Sequence, residues 1–171
     1  AGSNLSAGGT SSSDYNIAIG DNAGSNINGD DNIAIGKNAN ANVSQITESV
    51  AIGSNVNATT GSTVLGNKAT VTDGQYATVV GYGAEVTGES GTALGRDTHA
   101  STNNVALGAS SIANGTSSAA AYITGNTRTG GYNVVSVGQS GQERRITNLA
   151  AGAAALAQPD VAGTPARQSG P

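Results

Sequence analysis

A five-residue phrase recurs seven times along the chain, and every copy ends in glycine. The first copy reads Asn16-Ile17-Ala18-Ile19-Gly20, and successive glycines are 13 to 17 residues apart, so one unit is about fourteen residues long. A period this short indicates a solenoid, in which each unit is one coil that must stack on its neighbours to bury its apolar side chains. The glycines are Gly20, Gly36, Gly53, Gly66, Gly81, Gly95 and Gly108.

A second, weaker phrase follows most of these glycines. Small or apolar residues lie three and five positions after the glycine, as in Ala39 with Ala41 and Val56 with Ala58. Gly, Asn, Asp and Ser separate the two phrases, and these residues tolerate tight and left-handed turns. The chain has no Phe, Trp, Met or Cys, so any interior must be narrow. The pattern therefore predicts an all-β solenoid with two short strands in each coil.

The repeated strand is apolar on both sides, which predicts burial on both sides. We expect the larger outer residues to fill the interior of the roll and the small middle residue to face a second copy of the chain. Arginine at Ala51 or Ala93 would then disrupt assembly, whereas Asp30→Ala would not. The predicted roll core is Ile17, Ile19, Ile33, Ile35, Val50, Ile52, Leu65, Val80, Leu94, Val105 and Leu107. The predicted trimer interface is Ala18, Ala34, Ala51, Val64, Val79, Ala93 and Ala106.

A different motif follows the repeats, between Gly131 and Gly152. It contains V-S-V-G, then G-Q-E-R, then I-T-N-L-A-A-G, in that order. Together with the repeated N-x-A-I-G phrase, this segment resembles the head and neck of the trimeric autotransporter adhesins; only Leu149 departs, in place of the usual valine. The neck residues on which the resemblance rests are Val135, Val137, Gly138, Gly141, Glu143, Arg144, Ile146, Asn148, Leu149 and Gly152.

The resemblance implies a left-handed parallel β-roll in each chain, a homotrimer, and a neck that exchanges between chains above a stalk. It also implies a bacterial cell-surface adhesin, held in the outer membrane by a C-terminal β-barrel, that binds host extracellular matrix or cells and mediates autoaggregation. The predicted divisions are a lead-in at 1–13, head repeats at 14–116, a divergent head segment at 117–130, the neck at 131–152, and a stalk start or tail at 153–171.

Charge argues against nucleic acid and anionic membranes as partners. The net charge is -4 and only 11% of residues are charged, whereas both partners select basic surfaces. No run of about 18 apolar residues is present to span a bilayer as a helix.

Candidate chemical sites are few, and each has a structural alternative. His99 is the single histidine and Asp97 is near it, but no nucleophile motif accompanies them, so a coil-surface role is favoured. Asp14, Asp30 and Asp31 could suggest calcium, yet the spacing of a calcium loop is missing. We expect no catalytic residue, metal or cofactor.

Two further groups could contact a partner. Glu143, Arg144 and Arg145 could bind an anion, or make ion pairs across chains in the neck, which the resemblance favours. Tyr76 and Tyr82 flank one strand and are the candidate contact patch, although packing at coil edges is the simpler interpretation.

Two other classes of protein share parts of this pattern. A left-handed β-helix acyltransferase is also a trimeric coil, but it needs six-residue spacing and a histidine in a pocket between chains. An ice-binding solenoid needs an exposed T-x-T array; Thr63, Thr78 and Thr92 align, but their partners two residues on are apolar and we expect the face to be buried.

Overall fold

The computed structural model describes residues 15–41, 43–115 and 133–148. Within these ranges the chain is all β and has no helix, and every pair of strands is parallel. The strands are β1 Ile17–Ile19, β2 Ile33–Ile35, β3 Val50–Ile52, β4 Thr63–Leu65, β5 Thr70–Asp73, β6 Thr78–Val80, β7 Glu85–Thr87, β8 Thr92–Leu94, β9 His99–Ser101, β10 Val105–Leu107, β11 Ile112–Ala113 and β12 Val135–Ser136.

The strands form two sheets. The long sheet has the order β1-β2-β3-β4-β6-β8-β10-β12, and the short sheet has the order β11-β9-β7-β5. The seven copies of the repeated phrase supply the first seven strands of the long sheet, and β12 pairs with the last of them. The prediction of a parallel solenoid with a unit of about fourteen residues is confirmed.

The interior of the roll is narrow and lined by small side chains. The middle residues of the long-sheet strands point inward, and Ala34, Ala51, Val64 and Val79 are fully buried. The residues three and five positions after the glycines face them, including the Thr98 and Ala100 pair that the sequence pattern had not singled out. A lumen of Ala, Val and Ser leaves no room for an aromatic ring, which explains the composition.

Buried polar side chains connect the coils at the residue before four of the repeated strands, namely Asn32, Ser49, Ser62 and Asn104. The Asn32 Nδ2 donates to the carbonyl oxygen of Ile46 at 2.8 Å, and its Oδ1 accepts from the backbone amide of Ser49 at 3.1 Å. In later coils the Ser62 Oγ accepts from the Ala77 amide at 3.0 Å, and the Asn104 Oδ1 accepts from the Val134 amide at 2.8 Å. These bonds satisfy backbone groups that would otherwise be buried without partners.

The glycine that ends each phrase has a steric reason. Gly20 has a φ of +134°, and a Cβ there would lie 2.6 Å from the carbonyl oxygen of Gly36 in the next coil. All seven glycines have positive φ. A side chain at this turn would therefore strain the backbone and separate adjacent coils.

The two longest units keep their apolar residues inside. Ile27 and Ile46 belong to the inserted segments of these units, and both side chains are buried against Ala23, Ala34 and Ala39. The insertions therefore widen the core at this end of the solenoid.

Some predicted segments lie outside the described residues. These are the lead-in at 1–13, the divergent head segment at 117–130 and the tail at 153–171, together with Leu149 and Gly152 of the neck.

Candidate functional site

The outward face of the long sheet is an apolar ladder that runs through every coil. Strand register aligns two columns of side chains on this face, which we call the ladder face. Ile17 is 48% exposed, Ile19 is 57% exposed and Val135 is 67% exposed. The first column is Ile17, Ile33, Val50, Thr63, Thr78, Thr92, Val105 and Val135; the second is Ile19, Ile35, Ile52, Leu65, Val80, Leu94 and Leu107.

This arrangement reverses the predicted sides of the repeated strand. None of the eleven residues predicted for the roll core is buried: Ile17, Ile19, Ile52, Val80 and Leu94 are exposed, and Ile33, Ile35, Val50, Leu65, Val105 and Leu107 are half-buried. Of the seven residues predicted for the trimer interface, Ala34, Ala51, Val64, Val79, Ala93 and Ala106 are fully buried inside their own coil, and Ala18 in the first coil is half-buried.

The reversal has a steric cause. The two sheets of one coil approach closely, so the side chains between them must be small. The middle residue of each repeated strand shares its side with the glycine after the strand and with the residue before it, which from the second coil onward is a buried Asn, Ser, Ala or Gly. The bulkier pair is thereby directed outward, onto a surface that the chain itself does not cover.

The threonines that suggested an ice-binding array lie in the first ladder column. Thr78 is exposed, and Thr63 and Thr92 are half-buried, so the expectation of a buried face is wrong. Their neighbours in the second column are Leu65, Val80 and Leu94, so each coil presents one hydroxyl beside one apolar side chain.

The outward face of the short sheet is polar except at Ile112 in β11, which is exposed. His99 and Glu85 are paired across β9 and β7, with Nδ1 and Oε2 3.3 Å apart. The other ring nitrogen of His99 lies 3.3 Å from the hydroxyl of Thr87, and Thr72 donates to Glu85 at 2.9 Å. Both nitrogens of His99 thus have partners on the sheet surface, as a coil-surface histidine would.

The two candidate tyrosines lie on opposite edges of the roll. Tyr76 precedes β6 and its ring lies against Gly61, whereas Tyr82 follows β6 at the glycine turn. The ammonium of Lys68 stands 5.8 Å from the centre of the Tyr82 ring. Both rings are about half exposed. The structure therefore does not bring them together as one contact patch.

The neck motif packs under the last coil. Val135 and Ser136 pair with Val105 and Ala106, and the carbonyl of Gly138 accepts from the Ile112 amide at 2.8 Å. These contacts extend the long sheet beyond the seven repeats and leave Val135 and Ile146 exposed.

Arg144 is the anchor of the neck. Its guanidinium donates to the Ser111 hydroxyl at 2.8 Å, to the Val137 carbonyl at 2.7 Å, and to the Ala109 carbonyl. A cavity of about 680 Å³ lies between the neck and the last coil, beside Ile112, Val135 and Arg144.

Glu143 holds the turn that presents Arg144. The Gly141 amide donates to Oε1 of Glu143 at 2.8 Å. Hydrogen bonds from the backbone amides of Gly141 and of Glu143 itself lower the pKa of this carboxyl group. In the described residues neither Glu143 nor Arg144 makes an ion pair within the chain.

Acidic residues do not gather into a metal site. No group of three or more His, Cys, Asp or Glu side chains that could hold a metal ion occurs in the described ranges. Asp31 is exposed on a turn with a φ of +60°, and Asp14 lies outside the described residues.

Comparison with known proteins was negative. The chain matches no model of a known protein family, and no curated protein is similar to it. Across residues 15–41, 43–115 and 133–148 there is also no helix long and apolar enough to cross a membrane.

Proposed function

We propose that this chain is the head and neck of a trimeric autotransporter adhesin: a left-handed β-roll that assembles as a homotrimer and acts in attachment at a bacterial surface, without catalysis. The observation that carries the proposal is the ladder face. It combines the coil repeat with an outward surface on which one column of side chains is apolar in all seven repeat coils, outside an interior that is already filled.

A partner that covers the ladder face would need a surface of the same length and the same spacing between coils. At about 4.8 Å between strands, its seven repeat coils extend ~34 Å along the solenoid axis. Contiguous apolar surfaces of this kind mark protein interaction sites. Further copies of the same chain have the same coil spacing, so three rolls around a common axis would bring their ladders together.

The neck supports the same reading. The order of its motifs resembles that of the neck in the adhesin family, and Arg144 fixes the segment under the last coil through three acceptors. Val135 continues the ladder below Val105. In the proposed trimer this segment narrows the head onto a stalk. Exchange of the neck between chains would require it to make these contacts with the last coil of a neighbouring chain.

Attachment would use the surfaces that remain outside. With three ladders on the axis, each short sheet faces outward with its hydroxyls, Glu85 and His99. Three identical surfaces on one rigid body strengthen weak contacts through multivalency. The proposed ligands are extracellular-matrix proteins, host-cell surfaces, or heads on neighbouring cells.

The test separates assembly from attachment. The chain is measured by light scattering and then by binding to immobilised matrix proteins and to cultured cells. Leu94→Arg is the matched control, because it introduces charge on the ladder without changing the outward sheet. The proposal requires a three-chain mass and binding that weakens in the control variant. A trimer that binds nothing above background would exclude the adhesive role.

A further inference from the structure

Exposed cations lie along one edge of the roll. Each glycine of the repeat begins a turn at this edge, which we call the glycine edge and define as residues 21–22, 37–38, 54–55, 67–68, 82–83, 96–97 and 109–110. Backbone bonds stack these turns in register, for example from the Asn55 amide to the Lys37 carbonyl and from the Lys68 amide to the Ser54 carbonyl, both 2.9 Å. Lys37, Lys68 and Arg96 are exposed here, in the second, fourth and sixth coils.

Exposed carboxylates lie along the other edge. This acidic edge consists of the turns that precede the long-sheet strands, and it carries Asp31, Glu48, Asp73 and Glu89. The turns are stacked in the same way, with the Asn103 amide donating to the Glu89 carbonyl at 2.9 Å. Within the described ranges no lysine or arginine lies on the acidic edge.

Parallel strands place these two edges on opposite sides of the molecule. Every long-sheet strand runs from the acidic edge to the glycine edge. The glycine edge also holds Asp21 and Asp97, and Asp97 is 2.6 Å from Arg96. In the described part of the chain, Lys37 and Lys68 make no ion pair, and neither do the four acidic-edge carboxylates named above.

Two pairs of opposite charges on these edges also agree in height along the solenoid. Asp31 precedes β2 by two residues and Lys37 follows β2 by two residues. Glu89 precedes β8 and Arg96 follows it. By the same rule Lys68 follows β4 in the fourth coil, whereas Asp73, the last residue of β5, precedes β6 in the fifth coil, so these two residues are one coil apart.

We infer that the glycine edge of one copy packs against the acidic edge of the next copy, with Lys37 facing Asp31 and Arg96 facing Glu89. Lys68 and Asp73 add to the charges of the same two edges, one coil apart. The inference rests on the proposed assembly through the ladder face and adds its direction and register. Copies related by a pure rotation about an axis parallel to the solenoid are not displaced along that axis. Each coil therefore contacts the corresponding coil of the next copy. A two-fold contact would instead place a surface against itself.

These ion pairs contribute more to the specificity of the contact between edges than to its affinity. Exposed ion pairs contribute little affinity individually, but like charges across a contact disfavour wrong arrangements. The ladder face supplies the apolar contact, while the edges determine which side of the next roll it meets. Assembly should therefore depend on salt.

The experiment uses charge reversal on the full chain. One variant carries Lys37→Glu, Lys68→Glu and Arg96→Glu; a second carries Asp31→Lys, Asp73→Lys and Glu89→Lys; a third carries all six changes and keeps the net charge of the original. Sedimentation equilibrium gives the dissociation constant of each, and circular dichroism verifies that each retains its β-structure.

In low salt, the dissociation constant of each single-edge variant is expected to be roughly tenfold higher than that of the original chain. The difference should shrink near 1 M salt, where the screening length is about 3 Å. The six-change variant should regain the original dissociation constant, because its edges again have opposite charge.

Three results would overturn the edge contact. Single-edge variants that associate like the original in low salt would exclude it, and so would a six-change variant that stays weak. Heparin serves as the probe for the other possible occupant, a sulfated polymer. If only heparin binding is lost in the first variant, the glycine edge is a polyanion site and the edge contact is wrong. A monomeric original chain would instead contradict the proposed assembly itself.

Discussion

Val79 and Val80 are consecutive residues of β6 that face opposite environments. Val79 is fully buried between the two sheets, and Val80 is 37% exposed on the ladder face. One peptide bond thus separates the core of the coil from its outer surface. Because the two side chains are chemically identical, the pair reports on fold and assembly separately.

Truncation of these valines should have different consequences. Val79→Ala removes two buried carbons and should lower the free energy of unfolding by about 2 kcal/mol. Val80→Ala should change it by less than about 0.5 kcal/mol in the monomer, while weakening association of the chains. Urea unfolding at low protein concentration measures the first effect, and sedimentation measures the second. Equal losses of stability would argue against the assigned sides of β6.

The sequence was sufficient to predict the solenoid, but not which side of its strands is inside. Alternation shows that Ile17 and Ile19 share one side and Ala18 the other. Alternation alone does not determine which of two apolar sides of the strand is buried. The deciding information was the residue before the strand, which is a buried Asn or Ser in the second, third, fourth and seventh coils. Asn32, for example, is in phase with Ala34, and its buried side-chain amide bonds to the next coil. The usual expectation that a polar residue is exposed to solvent is wrong for Asn32.

Charge substitutions on the two sides should separate folding from assembly. Ala93 is fully buried inside the coil and Leu94 is exposed on the ladder. Ala93→Arg should prevent folding, because an unpaired charge would have to enter a closed interior. Leu94→Arg should give a folded monomer. Circular dichroism and light scattering distinguish the two, and a trimeric Leu94→Arg variant would exclude the ladder as the contact surface.

This result also revises the expected effect of Ala51→Arg. Ala51 is fully buried within its own coil, so arginine there should disrupt the fold itself rather than only the contact between chains. Thermal unfolding would show this as loss of a cooperative transition.

Glycine at the turns should be sensitive to a single methyl group. Gly53 has a φ of +139°, and a Cβ would lie 2.6 Å from the Gly66 carbonyl oxygen. Gly53→Ala should therefore destabilise the chain by about 3 kcal/mol. Gly115 is the control: its φ is +81°, and a Cβ there meets nothing within 4 Å in the described part of the chain. Gly115→Ala should cost only about 1–2 kcal/mol, as measured by chemical denaturation.

The neck should respond to acid through Glu143. Backbone amides of Gly141 and Glu143 lower the pKa of this carboxyl group, so its ionised form favours the folded turn. That contribution is complete above the ordinary pKa of glutamate and is lost as the pH falls through the lowered value. A carboxyl NMR titration should give a midpoint below the ordinary value. A midpoint at or above it would contradict the hydrogen-bonded turn.

The neck site was predictable as a motif but not as a set of contacts. The G-Q-E-R sequence marked Glu143 and Arg144, and ion pairs across chains were expected. In the structure, Arg144 instead donates hydrogen bonds to the carbonyls of Val137 and Ala109 and to the hydroxyl of Ser111. Ser111 is 33 residues away, and only the stacking of the neck on the last coil brings the two residues into contact.

The mass of the chain in solution tests the central claim most directly. Light scattering on the full chain should give the mass of three copies, close to three times 16.5 kDa, and Leu94→Arg should reduce it to one. A stable monomer at high protein concentration, with the ladder face left open to water, would contradict the account.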